Sequence, residues 1–443
     1  MPRGGHFTTA FVSQLDLALI PRGFRPGRTC FDCQFKLFKT MSLPTIKILV
    51  CGGGNGAHTL AGTAAAISNV EVRIITLFAD EAERWSKILE SNDLVVSITY
   101  NNGTASEIRS KPKFVTKDPA IAVPGTDIIF FTVPAFAHQQ YFDAILPFVE
   151  PNTIIAGLPG QAGFEFQAIN TLKNVVDKCA ILSCESLPWA CRLLEFGKKV
   201  QIQGFKESLS TSLILGHGQY KLPPLELVQK ILGERPKIVQ AKNYLAVNLM
   251  AKSIVHPPIM YGKWCLEWDG EPLKFGAPLF YQGVNDVQAD LLSKVSDEIV
   301  CTANKIQQLR PEFDMSEIIH IFDWYIISYR DQISDASNLK MAMRTNKAYN
   351  GLLHPMRKEN GDLVPDFSYR YITEDIPFGL VVMKGIAEIV GVETPTMDKI
   401  IKWAQEIMGK EFLIRSELKG KDLKCTRAPQ AFGFKTLDEL LNV

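Results

Sequence analysis

Two short strings hold most of the chemistry this chain could perform. The first is Gly52-Gly53-Gly54-Asn55-Gly56-Ala57-His58, which directly follows the run Thr45-Ile-Lys-Ile-Leu-Val-Cys51. Gly52, Gly54 and Ala57 fit G-x-G-x-x-[GA]. The first glycine permits a tight turn, the second lets a pyrophosphate approach the backbone, and the small third residue lets a helix pack against the strand. An anion would rest on the helix N-terminus, where amides lack partners and the helix dipole favours negative charge. Gly52, Gly54, Asn55, Gly56 and Ala57 are therefore candidate dinucleotide contacts. The second string is Ser253-Ile-Val-His256-Pro257-Pro258. Its prolines set the backbone after His256 and are expected to stop the helix that His256 ends. A histidine held there suits acid–base work, and a purely structural cap is equally open.

A partner for His256 is available in Tyr369-Arg370-Tyr371-Ile372-Thr373-Glu374-Asp375-Ile376-Pro377. Thr373 is expected to cap a helix with Asp375 in its first turn. Asp375 then either complements the helix dipole or orients an imidazole through its second nitrogen. Arg370 offers a forked cation for pyrophosphate or carboxylate. Of the other histidines, His58 reads as a packing residue and His138, just after a strand, could face a cleft. His6, His217, His320 and His354 belong to no constellation.

The elements that must position these groups follow an α/β rhythm. Strands are expected at 45–51, 70–76, 113–116, 126–133, 152–158, 180–184 and 199–203. A small-residue helix follows the glycine loop. The near-continuously apolar run at 126–133 reads as a buried parallel strand. Ligands of such sheets gather at the carboxyl ends of the strands. The tip of the second strand reads Thr76-Leu77-Phe78-Ala79-Asp80, with no acid where an adenosine ribose acid usually sits and no arginine cluster. NAD and NADP are not separated by it. From about residue 240, helical patterns dominate, at 241–255, 285–309, 315–330, 376–390 and 397–408. The fold expected is a Rossmann-type α/β domain over 45–242, then a mostly α-helical catalytic domain over 243–443.

Composition narrows the function classes. The formal net charge of +1 gives no electrostatic case for nucleic acid or an anionic membrane. No apolar run approaches the roughly 18–20 residues of a membrane helix. The scattered cysteines fit free thiols in a reducing, cytoplasmic setting better than a disulfide framework. Cys30 and Cys33 form a lone CxxC without a second ligand pair, so no metal is expected. Residues 1–44 carry Arg3, Arg22, Arg25, Arg28, Lys36 and Lys39 against Asp16 and Asp32. They read as an organellar presequence or, preferably, as an extension absent from the mature protein or disordered in it, with Met41 the start of the folded chain.

Longer strings add a resemblance. Val50 to Thr59, Thr76 to Trp85, Gly157 to Phe166, Glu185 to Arg192, Val255 to Pro257, Pro278 to Gly283, Arg370 to Pro377 and Pro429 to Phe434 together resemble the invertebrate opine dehydrogenases, the octopine, tauropine, alanopine and strombine dehydrogenase group. The similarity runs from about residue 45 to the C-terminus. It implies that an amino acid and pyruvate, or a related 2-oxo acid, condense to an imine that NADH reduces, regenerating NAD in anaerobic glycolysis. It further implies a monomer, His256 as acid–base residue with Asp375 as partner, Arg370 on the cofactor or a substrate carboxylate, and Gln161, Glu185, Ser186 and Trp324 lining the substrate site. The rival expectations are a 2-oxo-acid/2-hydroxy-acid dehydrogenase of the same architecture and a catalytically silent NAD-binding protein. One departure bears on substrate. Four residues before the histidine, where the octopine enzyme carries Tyr, this chain has Lys252. A cation there suits a sulfonate or a small amino acid's carboxylate better than a guanidinium, unless Lys252 points to solvent.

Overall fold

A computed structural model describes residues 44–100, 104–173 and 175–442. Most of the expected extension, with Cys30, Cys33 and Met41, lies outside the described residues. Residues Thr45–Val443 form one compact unit.

The chain opens as the apolar runs dictate. β1 (Ile46–Cys51), β2 (Val70–Ile75), β5 (Phe114–Thr116), β6 (Ile128–Phe131), β7 (Ile154–Gly157) and β8 (Ala180–Cys184) pair in parallel. β11 (Ser208–Leu215) adds antiparallel to β8, and β12 (Lys237–Gln240) closes the edge. The order is β12-β11-β8-β7-β6-β1-β2-β5. Side chains alternate across this sheet. Ile46, Ile48 and Val50 of β1 join the layer containing the helix Asn55–Ala65, while Leu49 and Cys51 join the layer containing the helices His138–Ile145 and Phe164–Leu172. Truncating a buried leucine such as Leu49 to alanine in so closed a core costs about 2–5 kcal/mol.

A second sheet was not expected. β3 (Leu94–Thr99), β4 (Ala105–Ser110), β9 (Trp189–Glu195) and β10 (Lys199–Phe205) form it in the order β4-β3-β10-β9. The expected strand at 199–203 belongs here. The helix Asn55–Ala65 lies against this sheet so tightly that a Cβ on Gly62 would come within 2.4 Å of Val96 Cγ2.

Beyond β12 the chain is mostly helical, with a third core running from Tyr244 to Leu440. Its longest helix, Asp286–Leu309, begins with a capping box from Asn285 and Gln288. The helix expected over 241–255 is instead broken. Tyr244–Leu249 is followed by a 3-10 turn at Lys252–Ile254 and a new helix at His256–Tyr261. Pro257 and Pro258 start that helix rather than stopping the previous one. In a first turn proline forfeits no hydrogen bond, and its fixed φ is already helical.

Candidate active site

At the carboxyl end of β1 the chain turns sharply at Gly52. Its φ is +119°, and a Cβ there would approach Val133 Cγ1 to 2.6 Å. Gly54 precedes the helix Asn55–Ala65, no side chain caps that helix, and among the described residues no atom beyond its own chain neighbours lies within 4 Å of where a Gly54 Cβ would be. The loop therefore leaves open space over unpaired amides, which fits a dinucleotide pyrophosphate. Gly56 and Ala57 are buried in the first turn. The Asn55 side-chain oxygen accepts from the Leu193 amide at 2.9 Å, which leaves its backbone and its side-chain NH2 to the loop.

An acid does reach the tip of β2, contrary to the reading of Thr76 to Asp80. Glu81, from the start of the helix Glu81–Ser91, folds back to accept from Thr76 Oγ1 at 2.6 Å. Its Oε2 would lie 2.2 Å from a Cβ on Gly53. Five residues separate strand end and acid, so sequence position alone hides it.

His58 stacks on Trp85 with ring centroids 3.7 Å apart, contacts the Gly54 carbonyl through Nδ1, and accepts from the Gly197 amide at Nε2. Burial lowers its pKa to about 4, so it is a neutral packing group. His138 is buried against the Val133 carbonyl and does not face a cleft.

The structure brings His256 and Asp375 together. Asp375 Oδ2 lies 2.5 Å from Nδ1 of His256, and Asp375 is buried. Burial holds its carboxyl above the usual range, with His256 acting in the opposite direction. Tyr371 stacks on the imidazole at 3.7 Å. The other ring nitrogen, Nε2, lies 2.8 Å from the Tyr281 hydroxyl. With the Nδ1 proton donated to Asp375, Nε2 is the basic nitrogen. Tyr281 was not singled out from the sequence; it sits in a loop with no chemical signature of its own.

Thr373 does not cap a helix. It lies inside the short helix Arg370–Thr373 and donates to the Ser368 carbonyl. Arg370 is more than half exposed and ion-paired with Glu374 at 3.0 Å. Glu374 also accepts from the Ala135 amide, just after β6, and Arg427 donates to the carbonyls of Ala135 and Gly160. The strand-end loops are thus held by the helical region.

The expected substrate residues occupy the ends of β7 and β8 and the helices facing them. Gln161 adopts φ +63°, a sparsely populated backbone state held by its surroundings. The loop is braced by Asn248, which accepts from the Gly163 amide at 2.5 Å and donates to buried Glu165 at 2.9 Å. Glu185 and Ser186 follow β8, and the Ser186 hydroxyl is buried without a hydrogen-bond partner among the described residues. Lys252 turns inward, 3.7 Å from Glu185 Oε2 and 3.8 Å above the ring centre of Trp324. Glu185, Lys252 and Trp324 line a cavity of about 350 Å³, whereas Gln161 and Ser186 are not part of its lining.

A glycine loop at a sheet's ligand edge and a carboxylate-held histidine on the helical region tied to that edge are the parts of a dinucleotide-dependent dehydrogenase. Residues 240–408 match the family model described as NAD/NADP octopine/nopaline dehydrogenase, alpha-helical domain. Over 402 residues the chain is 50% identical to opine dehydrogenase of Haliotis discus hannai, covering 90% of this chain and 99% of that one. It is 46% identical to tauropine dehydrogenase of Arabella iricolor over 89% and 100% of the two chains. Solved structures of octopine dehydrogenase with NADH and L-arginine, and with NADH and agmatine, superpose with TM-scores of 0.86 at 48% identity, covering 90% of this chain and 98% of theirs. An octopine dehydrogenase structure with NADH and pyruvate gives 0.83 at 47% identity, with the same coverage. The chain belongs to the opine dehydrogenase family, whose members are NAD-dependent oxidoreductases acting on the CH–NH group.

Proposed function

We propose that this protein condenses an amino acid with pyruvate, or a closely related 2-oxo acid, and reduces the imine with NADH to an N-(carboxyethyl) amino acid. The observation carrying this reading is the Asp375–His256 pair, with its basic nitrogen turned away from the carboxylate. Bound NADH supplies the hydride for the imine carbon. The protein's own groups handle protons and orientation. His256 Nε2 takes a proton from the incoming ammonium, freeing the nitrogen lone pair to attack the 2-oxo carbon. The resulting imidazolium, stabilised by Asp375, returns a proton to the carbinolamine hydroxyl as water leaves. Tyr371 fixes the ring plane, and Gln161, Glu185, Ser186 and Trp324 orient the substrates.

The glycine loop, from Gly52 through Gly54 and Asn55 to Gly56 and Ala57, holds the pyrophosphate through backbone amides, and Arg370, exposed beside Glu374, supplies a cation to it or to a substrate carboxylate. The Glu81 carboxylate favours NAD, because a 2′-phosphate there would meet a like charge. Residues 45–242 and 243–443 act as cofactor and catalytic domains of a cytoplasmic monomer that regenerates NAD in anaerobic glycolysis. Among the described residues, no helix is long and apolar enough to cross a membrane.

The test is NADH oxidation at 340 nm with pyruvate and a panel of amino acids. Oxidation that requires both substrates is expected. Oxidation with pyruvate alone would make the protein a 2-hydroxy-acid dehydrogenase, and none with any pair would overturn the enzymatic reading.

A further inference from the structure

Lys252 lies in a turn, four residues before His256. Its Nζ donates to the Met250 carbonyl at 3.0 Å, lies 3.7 Å from the Glu185 carboxylate, and sits 3.8 Å above the Trp324 ring. A carbonyl, a carboxylate and an indole face converging on one point make a receptor for a cation. Here the protein's own ammonium fills it. Only about a quarter of the Lys252 side chain is exposed, so the charge is held in the cleft rather than released to solvent.

We infer that Lys252 is a specificity-determining residue, a built-in cation that restricts the amine substrate to small zwitterions without a second positive charge. Glycine, alanine, β-alanine and taurine are of this class. A guanidinium side chain would find Glu185 and Trp324 already engaged and would face a like charge, whereas a small zwitterion leaves the pair intact. This selectivity rests on the opine reading of the same cleft. It differs from the bare sequence expectation in one respect. Lys252 acts first on Glu185 and Trp324 within the protein, and its charge excludes cations whether or not it also touches a substrate acid.

Two measurements separate the inference from the reading beneath it. The first is agmatine binding to the NADH complex, followed by calorimetric titration, which requires no turnover. The wild type should bind agmatine at least about tenfold more weakly than Lys252→Met, which keeps the stem and removes the charge. Lys252→Arg should resemble the wild type. The double variant Lys252→Met, Glu185→Gln should lose the affinity gained. The second is the ratio of kcat/KM for arginine to that for alanine or taurine. It should rise about tenfold or more in Lys252→Met, mainly through KM. Equal agmatine affinity in wild type and Lys252→Met, or efficient arginine turnover by the wild type, overturns the inference. Loss of all amine-dependent turnover with the agmatine pattern intact would overturn the opine reading and leave the cation site supported.

Discussion

The Tyr281 hydroxyl lies 2.8 Å from Nε2 of His256, the nitrogen that exchanges protons with substrate in the proposed reaction. Burial raises the Tyr281 pKa well above the ordinary phenol value. Tyr281 therefore stays a hydroxyl and donates to the basic nitrogen until an amine replaces it. Tyr281→Phe is expected to lower kcat by roughly tenfold or more while leaving NADH affinity unchanged. Steady-state rates with a fluorescence titration of NADH check this, and a normal kcat would reduce Tyr281 to packing.

Asp375 is expected to trade stability for activity. The fold favours its protonated form, because burial raises its pKa. A raised carboxyl contributes stability that is fully present below the unfolded value, about 3.9, and lost as pH rises through the folded value. At neutral pH the carboxylate is thus a destabilising group kept for its pairing with His256. Asp375→Asn should lower kcat about 10²–10⁴-fold, since the imidazole loses its anionic partner, while Tm at pH 7 rises. His256→Ala should abolish turnover with near-normal NADH affinity. A Tm that falls in Asp375→Asn would contradict the linkage.

Asn248 joins two halves of the cleft. Removing its amide strands the buried Gly163 amide and takes a donor from buried Glu165. Each group left without a partner costs about 1–3 kcal/mol. With Glu165 still held by the Ser212 hydroxyl, Asn248→Ala should lose about 1–3 kcal/mol in denaturant unfolding, and its substrate KM should rise as the Gln161 loop loosens.

Glu81 is the predicted NAD selector. Glu81→Gln removes the charge and keeps the shape. The KM for NADH should rise about tenfold and discrimination against NADPH should relax by a similar factor. Unchanged cofactor preference would show that the carboxylate serves only Thr76.

Much of this architecture was legible, and the rest was hidden for identifiable reasons. β1, β6, β7 and β8 are apolar runs buried on both faces, so their composition alone marks them. β4 reads Ala105-Ser-Glu-Ile-Arg-Ser110 and carries only a weak, half-exposed alternation. β9 reads Trp189-Ala-Cys-Arg-Leu-Leu-Glu195, without a regular polar alternation, and lies half-exposed at a sheet edge. The glycine loop was recognisable because its chemistry is contiguous. His256 and Asp375 carry local backbone cues and a resemblance; the helix at His256 differs from the expectation because proline both ends and begins helices, and the helix after Asp375 differs in its cap alone, with Pro377 in its first turn as expected. Glu81 and Tyr281 reach the cleft only through the fold, and no local pattern announces them.

The charge on Lys252 should make amine selectivity depend on pH. Burial lowers its pKa to about 8, with Glu185 opposing and Lys206 reinforcing the shift. Glu317 also lines the cavity. Below pH 8 the ammonium is the main form and a cationic amine is repelled. At pH 9 roughly one-tenth of Lys252 remains charged, which leaves Glu185 with Lys206 as its remaining cation and more favourable to a guanidinium, still protonated at that pH. Agmatine affinity of the wild type should therefore rise between pH 7 and 9 by up to about tenfold. Lys252→Met should show a clearly smaller rise, because only Lys206 remains beside Glu185 to lose a proton. A parallel rise in the variant would assign the effect to another group. A flat profile in the wild type would mean that Lys252 stays charged across this range.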